Sequence, residues 1–394
     1  MAQTSPPSSG GLAARMQPFV NDGTMAGAVM LVTGKDRVLD LETVGYSDLA
    51  AKKPMAPDDL FWIASLSKAM TASLVMMLVD EGKVNIDDPV EKYLPEFKGQ
   101  MVVAPKDPAH TPHPADHPIT IREVLSHTSG IPFRPIGETG VLDNRPLAEE
   151  VSLYAKNPLI FQPGTEYSYS NAGIGIGARI IEVVSGMPYE KFMQERLFDP
   201  LGMADTTFWP TEAQVQRLAR AYDGRDPKSK EPVDPKIPTL HEITINQLTY
   251  PLSDRAKRFP MPAGGLFSTA ADTAKFCQMF LNDGIFEGKR ILSPEVVKLA
   301  TTKETGPKVK TGYGFGWSLG EHGEFSHGGA YKTYMGVEPE RGIVLVFMVQ
   351  QGAHWGTERG ETILSTFVKA AQVLAGGPKT PDAQVHTEGQ GQPR

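Results

Sequence analysis

The sequence predicts an α+β fold (an α/β sandwich) in which one antiparallel sheet is flanked by helices and interrupted by a mostly helical insertion. Strand patterns occur only near the two ends of the 394-residue chain, and helical patterns dominate between them. Each end carries too few strands for a stable sheet of its own, so the two sets are expected to pair. The expected parts are a flexible N-terminus (1–10), a sheet domain (11–85 and 260–375), a helical insertion (86–259) and a flexible tail (376–394).

The N-terminal part is expected to begin with a helix and a hairpin. Apolar residues at helical spacing predict a helix over Leu12–Asn21, and two alternating runs predict strands over Gly27–Thr33 and Val38–Val44. A long apolar stretch, Ala69–Val79, then predicts a buried helix that ends before Gly82, the expected C′ glycine.

Strand signals return only near the C-terminus. After a short helix expected at Asp87–Val90, where an aspartate precedes proline, most patterns are helical. Gly312–Leu319, Tyr334–Glu338 and Ile343–Val349 are then short aromatic or β-branched runs, which predict three strands. A final helix is predicted over Glu361–Leu374. These strands and the N-terminal hairpin complete the expected sheet.

Composition excludes several classes of partner. The net charge is −7 without a run of lysine or arginine, so nucleic acid is not expected as a partner. The longest apolar stretch, Leu74–Val79, is interrupted by Asp80 and is too short to span a membrane. The first residues lack the apolar core of a signal peptide, but a removed signal would leave the same sequence, so export and a cytoplasmic location both stay open. The single cysteine, Cys277, excludes an intramolecular disulfide and is expected to be a buried structural thiol.

Ser65 and Lys68 carry the first chemical signal. They form a Ser-x-x-Lys tetrad at the start of the predicted buried helix, where residues three apart share a face. A serine hydroxyl needs a base to become a nucleophile, and a desolvated lysine has its pKa lowered towards that role. The positive potential of a helix N-terminus favours an oxyanion at the same place. About one such tetrad is expected by chance, so the hypothesis depends on partners.

Two further motifs supply these partners. Tyr169-Ser170-Asn171 follows a turn, and a tyrosinate near a lysine ammonium can act as a general base while the asparagine amide holds a substrate carbonyl. His327-Gly328-Gly329-Ala330 lies between two predicted strands. Paired glycines let the backbone approach a ligand, and an amide N–H at this point can complete an oxyanion hole with the N–H of Ser65.

The order of the three motifs resembles that of the penicillin-recognising serine hydrolases. The likeness is specifically to the class C β-lactamase branch, with its relatives the D-alanyl-D-alanine peptidases and the family VIII carboxylesterases. Ile121–Gly130, Pro200–Met203 and Ala263–Asp272 also resemble recurrent segments of that family, and the likeness covers roughly residues 12 to 375. It implies a β-lactamase/transpeptidase-like fold.

The resemblance also implies a role for each motif residue. Ser65 would be the acylated nucleophile, Lys68 its proton acceptor or relay, and Tyr169 the general base. Asn171 would bind both the substrate and the lysine, and the backbone N–H groups of Ser65 and Ala330 would form the oxyanion hole. The implied reaction is acylation of Ser65 followed by hydrolysis of the acyl-enzyme, with no metal and no organic cofactor.

The third motif departs from the pattern of the β-lactamases. His327, Gly328 and Gly329 would line the sheet side of the cleft and bind substrate, but most true β-lactamases of this type carry a lysine at the position of His327. An unperturbed histidine is largely neutral at pH 7. Small neutral esters or amides are therefore expected as substrates in preference to β-lactams.

Other motifs have structural explanations. Ser318 lies in a Gly-x-Ser-x-Gly match, but within a strand-like run, so it is expected to be a sheet residue with Trp317 as packing or pocket wall. A histidine-rich segment is expected to be a solvated loop and not a metal site, because it lacks a scaffold for ligands; its candidate ligands are His110, His113, Asp116 and His117.

Three more residues lie in or near the expected cleft. His127 is expected to tie a turn through hydrogen bonds. Arg134 and Tyr331 flank the cleft, where substrate contact and surface packing both stay open.

The preferred functional hypothesis is a carboxylesterase that cleaves small acyl esters through a Ser65 acyl-enzyme. The alternative among enzymes is a β-lactamase or a D-amino-acid peptidase. The alternative of another class is a non-catalytic, penicillin-binding-like module, against which the intact Ser65, Lys68 and Tyr169 argue. The sequence does not specify the oligomeric state.

Overall fold

The structure, a computed structural model, describes residues 11–103, 111–133, 140–226 and 239–376. The expected flexible N-terminus and nearly all of the expected flexible tail lie outside these ranges. The helices are α1 (Leu12–Asn21), α2 (Ser67–Asp80), α3 (Ile121–Leu125), α4 (Leu147–Ala155), α5 (Asn171–Ser185), α6 (Tyr189–Met193), α7 (Asp199–Leu201), α8 (Glu212–Val215), α9 (Ala270–Leu281), α10 (Pro294–Ala300) and α11 (Ile363–Leu374). Short 3-10 turns cover Ala64–Leu66, Val90–Lys92, Pro95–Phe97 and Glu358–Thr362, and a π-helical turn covers Gln194–Phe198.

The strands are short outside the central sheet. They are β1 (Gly27–Thr33), β2 (Val38–Asp48), β3 (Lys53–Pro54), β4 (Phe61–Trp62), β5 (Met101–Val102), β6 (His113–Pro114), β7 (Ala221–Asp223), β8 (His241–Ile243), β9 (Phe267–Ser268), β10 (Ile285–Phe286), β11 (Lys289–Arg290), β12 (Ser318–Leu319), β13 (Phe325–Gly328), β14 (Tyr334–Glu338) and β15 (Ile343–Met348).

One antiparallel sheet of seven strands forms the centre of the fold, in the order β12-β13-β14-β15-β1-β2-β3. β1 pairs with β15, with Leu31 opposite Val346, so the strands from the two ends of the chain meet side by side. Helices cover this sheet, and the predicted α+β fold class is confirmed.

Most of the elements predicted near the two chain ends are confirmed, but the predictions were wrong for the strand Gly312–Leu319 and for β13. α1, β1 and β14 have the predicted bounds, and α2 ends before Gly82, which has a φ of +67°. The predicted strand Gly312–Leu319 contains only the two-residue β12, and β13 was not predicted. β13 has the sequence Phe-Ser-His-Gly, without a β-branched run, and it becomes a strand through its pairing with β14.

The alternation of side chains along β1 divides the core into two layers. All seven residues of β1 are buried. Ala28, Met30 and Val32 belong to the apolar cluster that contains α1 and α11, whereas Val29 and Leu31 belong to the cluster that contains α2 and α9. A strand buried on both faces needs helices on both sides, and this one has them.

Helix α2 lies in the middle of the second layer. Its residues from Ser67 to Leu78 are all buried, and it packs against α5. One apolar cluster contains Leu74 of the predicted sheet domain and Ile176 of the predicted insertion. The division of the chain into those two domains stays a prediction. No helix in the described ranges combines the length and apolar character needed to cross a membrane.

Candidate active site

Ser65 lies in the 3-10 turn Ala64–Leu66 that leads into α2. Ala64 has a φ of +46°, in a region that residues other than glycine rarely adopt. The Ser67 hydroxyl donates a 2.6 Å hydrogen bond to the carbonyl of Ala64 and helps to hold the turn. Such backbone strain persists only where the surrounding structure fixes it, and it is common at functional sites.

Lys68 is the second residue of α2 and is completely buried. Its Nζ is 3.0 Å from Ser65 Oγ and donates a 2.7 Å hydrogen bond to the carbonyl oxygen of Ala263. Burial lowers the pKa of Lys68 well below its ordinary value. The neutral amine that results can accept the proton of the Ser65 hydroxyl.

Tyr169 covers another side of the lysine. Its ring centroid is 4.7 Å from Lys68 Nζ. Burial raises the pKa of the Tyr169 hydroxyl, and the nearby Ser65 side chain lowers it by less. This hydroxyl is buried, and no described group meets it at hydrogen-bond geometry. A phenol in such surroundings stays protonated and is suited to donate a proton.

Asn171 is the first residue of α5, whose N-cap, Ser170, accepts a hydrogen bond from a backbone N–H of the helix. Asn171 lines the same cavity as Ser65 and Tyr169. Among the described residues, the hydrogen bonds of the Lys68 amine go to Ser65 and Ala263 and not to Asn171. The structure therefore places Asn171 in the cavity wall without the predicted contact to Lys68.

His327 lies behind the cavity and not in its wall. It is on β13 and is 3% exposed, and its Nε2 and Nδ1 are 3.1 Å from the Tyr313 hydroxyl and 2.8 Å from the Gly328 carbonyl. Burial lowers the pKa of His327 to about 3. The ring is therefore neutral, with Nδ1–H donating to Gly328 and Nε2 accepting from Tyr313.

Gly329 lets the turn between β13 and β14 approach the Ser65 turn. A Cβ at Gly329 would lie 2.7 Å from the carbonyl oxygen of Ile63 and 2.0 Å from Thr333 Oγ1, closer than these atoms can come. The Thr333 hydroxyl donates to the same carbonyl at 3.2 Å. Ala330 and Ser65 consequently line the same cavity. Neither backbone N–H donates in the turn and loop hydrogen bonds of the described chain.

His127 and Tyr313 join the site although their chemistry was not predicted. The His127 ring centroid is 4.6 Å from that of Tyr169 and 4.8 Å from that of Tyr313. Its Nδ1 accepts the backbone N–H of Ser170 at 3.1 Å, a turn-tying contact of the predicted kind. Burial lowers the pKa of His127, so this ring is neutral as well. No sequence signal marked Tyr313.

The remaining sequence candidates lie elsewhere. Ser318 is on the edge strand β12, opposite Ser326, and the next element is another strand, so it is not at a strand-to-helix turn. Trp317 is buried and stacks on Phe276 at 5.8 Å, as part of the core. Cys277 is buried in α9, and burial raises the pKa of its thiol.

The histidine-rich segment contains the two-residue strand β6, and its histidines contact other polar groups. His113 Nδ1 is 3.2 Å from Gln162 Nε2, and His117 Nε2 is 2.8 Å from the Glu123 carboxylate. His110 and Arg134 lie outside the described residues. Within the described ranges, no group of three or more histidine, cysteine, aspartate or glutamate side chains is arranged to hold a metal ion.

The cavity at Ser65 has a volume of about 760 Å³, enough for a small molecule. Its lining has an apolar part and a charged part. The apolar part consists of Trp62, Phe133, Leu142, Met261 and Tyr331, of which Tyr331 packs edge-on against Trp62. The charged part consists of Asp223, Arg225, Glu242 and Lys332, and His354 lies beside it, 3.0 Å from the Asp223 carboxylate.

Known proteins resemble the chain along most of its length. The family model described as Beta-lactamase matches residues 12–364. Protein Rv1367c of Mycobacterium tuberculosis is 30% identical over 372 residues, which cover 86% of this chain and 88% of that protein. Esterase EstB of Burkholderia gladioli is 26% identical over 328 residues, covering 78% and 79%. The solved structure of EstCE1, a hydrolase with promiscuous acyltransferase activity, has a TM-score of 0.73 at 24% identity and covers 92% of this chain and 97% of its own.

Proposed function

Because the chain belongs to the Beta-lactamase family, whose members include serine hydrolases with esterase activity, we propose that it is a carboxylesterase that cleaves small acyl esters through a Ser65 acyl-enzyme. The observation that carries the proposal is the fully buried Lys68 amine 3.0 Å from Ser65 Oγ. A desolvated amine at this distance is a base positioned on a nucleophile.

In the proposed reaction, Lys68 first accepts a proton and Tyr169 first donates one. The neutral Lys68 amine takes the Ser65 proton as Oγ bonds to the ester carbonyl carbon, and the N–H groups of Ser65 and Ala330 stabilise the oxyanion. The Tyr169 hydroxyl gives its proton to the departing alkoxide as the carbon–oxygen bond breaks, and Lys68 returns a proton to Tyr169. The raised pKa of Tyr169 supports this donor role, in place of the general-base role that the resemblance implied. Water then attacks the acyl carbon and gives one proton to the neutral Lys68 amine. As the bond from that carbon to Ser65 Oγ breaks, Lys68 passes the proton to Oγ and the carboxylic acid leaves.

The third motif supports an ester in preference to a β-lactam. His327 is buried and neutral, so a drug carboxylate would meet no positive charge from this side chain. The apolar part of the cavity suits the acyl chain of an ester. The esterase name of a relative that matches 78% of this chain points in the same direction.

The test compares p-nitrophenyl butyrate, nitrocefin and a D-alanyl-D-alanine peptide as substrates of the parent, Ser65→Ala and Ser318→Ala. The ester is expected to be the best substrate. Ser65→Ala should lower its turnover by roughly 10³-fold or more, and Ser318→Ala should leave it unchanged. Equal ester hydrolysis by Ser65→Ala would refute the nucleophile assignment. Faster turnover of nitrocefin or the peptide would instead favour the β-lactamase or peptidase, and a folded parent without turnover would favour a binding module.

A further inference from the structure

Lys332 occupies a backbone conformation that favours glycine, in the wall of the cavity that Ser65 also lines. Its φ is +66°, and it lies in the turn between β13 and β14. A lysine in this region costs folding free energy relative to glycine, and such a cost at a cleft points to a function of the side chain. We propose that Lys332 forms an anion subsite, so that the preferred substrates of Ser65 are esters that also carry a carboxylate. This inference rests on the proposed esterase function.

The basic side chains close to Ser65 do not supply a positive charge for such a ligand. Burial lowers the pKa of the Lys68 amine and of the imidazoles of His127 and His327. All three groups are therefore neutral when the nucleophile is ready to react. A charge that recognises an anionic substrate has to come from the charged part of the cavity lining, where Lys332 lies.

The acidic side chains of that lining are already used within the protein. Asp223 accepts hydrogen bonds from the N–H of Arg225 at 2.8 Å, from Nδ1 of His354 at 3.0 Å and from the N–H of His354 at 3.3 Å. Glu242 lies 3.7 Å from the Arg220 guanidinium. These donors and the guanidinium weaken the repulsion between the two carboxylates and a second anion nearby, although both carboxylates keep their charge.

The surroundings of the Lys332 ammonium strengthen its attraction for an anion. Nζ lies 5.8 Å from the ring centroid of Trp355. Burial lowers the pKa of Lys332, and the charges of Glu361 and Asp223 oppose that change. Water competes less for a partly desolvated ammonium, so a substrate carboxylate gains more from this contact than from a fully exposed lysine.

The test uses two pairs of esters that differ in charge. p-Nitrophenyl hemiadipate and p-nitrophenyl methyl adipate differ at the acyl end, and 3-(butanoyloxy)benzoate and phenyl butyrate differ at the alcohol end. For each pair, kcat/KM of the anionic ester is divided by that of the neutral ester. The parent is expected to favour the anionic ester in at least one pair, and Lys332→Met should lower that ratio about tenfold, mainly through KM.

Lys52 provides a matched control, because it also has a positive φ, +52°, but is exposed in the turn between β2 and β3 and does not line the cavity. Lys52→Met should leave both ratios unchanged. Lys332→Gly and Lys52→Gly should each raise Tm by relieving the backbone, whereas only Lys332→Gly should lower the ratio. An unchanged ratio in Lys332→Met for both pairs, or a parent that favours the neutral ester in both, would overturn the subsite. A parent that hydrolyses none of the four esters would contradict the esterase function itself.

Discussion

Lys68→Met separates the chemical role of the buried lysine from its packing role. Methionine has a similar length, so the substitution deletes mainly the amine that contacts Ser65 Oγ and the carbonyl of Ala263. Loss of a positioned base lowers a rate by about 10²–10⁴-fold, equal to roughly 3–5.5 kcal/mol of transition-state stabilisation. The kcat/KM for p-nitrophenyl butyrate is expected to fall by that factor.

The same substitution should change how stability depends on pH. Burial lowers the pKa of Lys68 in the folded protein, whereas the unfolded chain keeps the ordinary value of 10.5. Between these two values the unfolded state binds more protons, so the stability of the parent rises with pH. Lys68→Met lacks this contribution. The Tm of the variant minus that of the parent is therefore expected to fall as pH rises towards 10.5.

A second effect of Lys68→Met lowers the Tm of the variant by a similar amount at every pH, so it does not change how the Tm difference depends on pH. The Ala263 carbonyl loses its donor, which costs about 1–3 kcal/mol at every pH. Thermal unfolding of both proteins from about pH 6 to about pH 9 measures how the Tm difference changes with pH. Lys98→Met is the control, because Lys98 is exposed. A Tm difference that stays constant over this range would refute the lowered pKa. A parental kcat/KM in Lys68→Met would refute its role as base.

Three further substitutions test the packing around the site. Gly329→Ala places a Cβ 2.7 Å from the carbonyl oxygen of Ile63, so kcat/KM for p-nitrophenyl butyrate should fall at least about tenfold, and a parental value would contradict the close approach. His327→Lys puts a cation at a site that is 3% exposed, so Tm should fall by several degrees without nitrocefin turnover; a stable variant that hydrolyses nitrocefin would contradict this expectation. Asp143→Ala removes the carboxylate 2.6 Å from the Arg258 guanidinium, which is 1% exposed. The free energy of unfolding in urea should fall by about 3–5 kcal/mol, and a loss below about 1 kcal/mol would show that the pair is not needed.

Sequence patterns predicted the structure correctly where residues close together in the chain determine the conformation. The bounds of α1 and β14 follow from local periodicity, and the contact between Ser65 and Lys68 follows from helical spacing. β13 was missed because its four residues have no strand pattern and are held by their pairing with β14. Register between strands is a tertiary property, and a single sequence gives little information about it.

Local sequence patterns could not predict the contacts of the site between residues that are distant in the chain. The hydrogen bond from Lys68 to Ala263 joins residues 195 positions apart. The neutral state of His327 depends on burial against Tyr313, which is not visible in a motif of four residues. The sequence therefore predicted which groups would react, while the protonation of these groups depends on packing that only the folded chain displays.

The layer of α1 and α11 has a practical consequence for immobilising the protein. α1 begins where the N–H of Ala13 donates to Glu42, and it ends next to Asp22, which pairs with Arg359 just before α11. Thr24, just after α1, is 2.5 Å from Thr357, in the segment that follows His354, and α1 has ten residues, so its start lies about 15 Å from this contact. A solid support attached at the start of α1 is therefore expected to leave the cavity accessible to substrate.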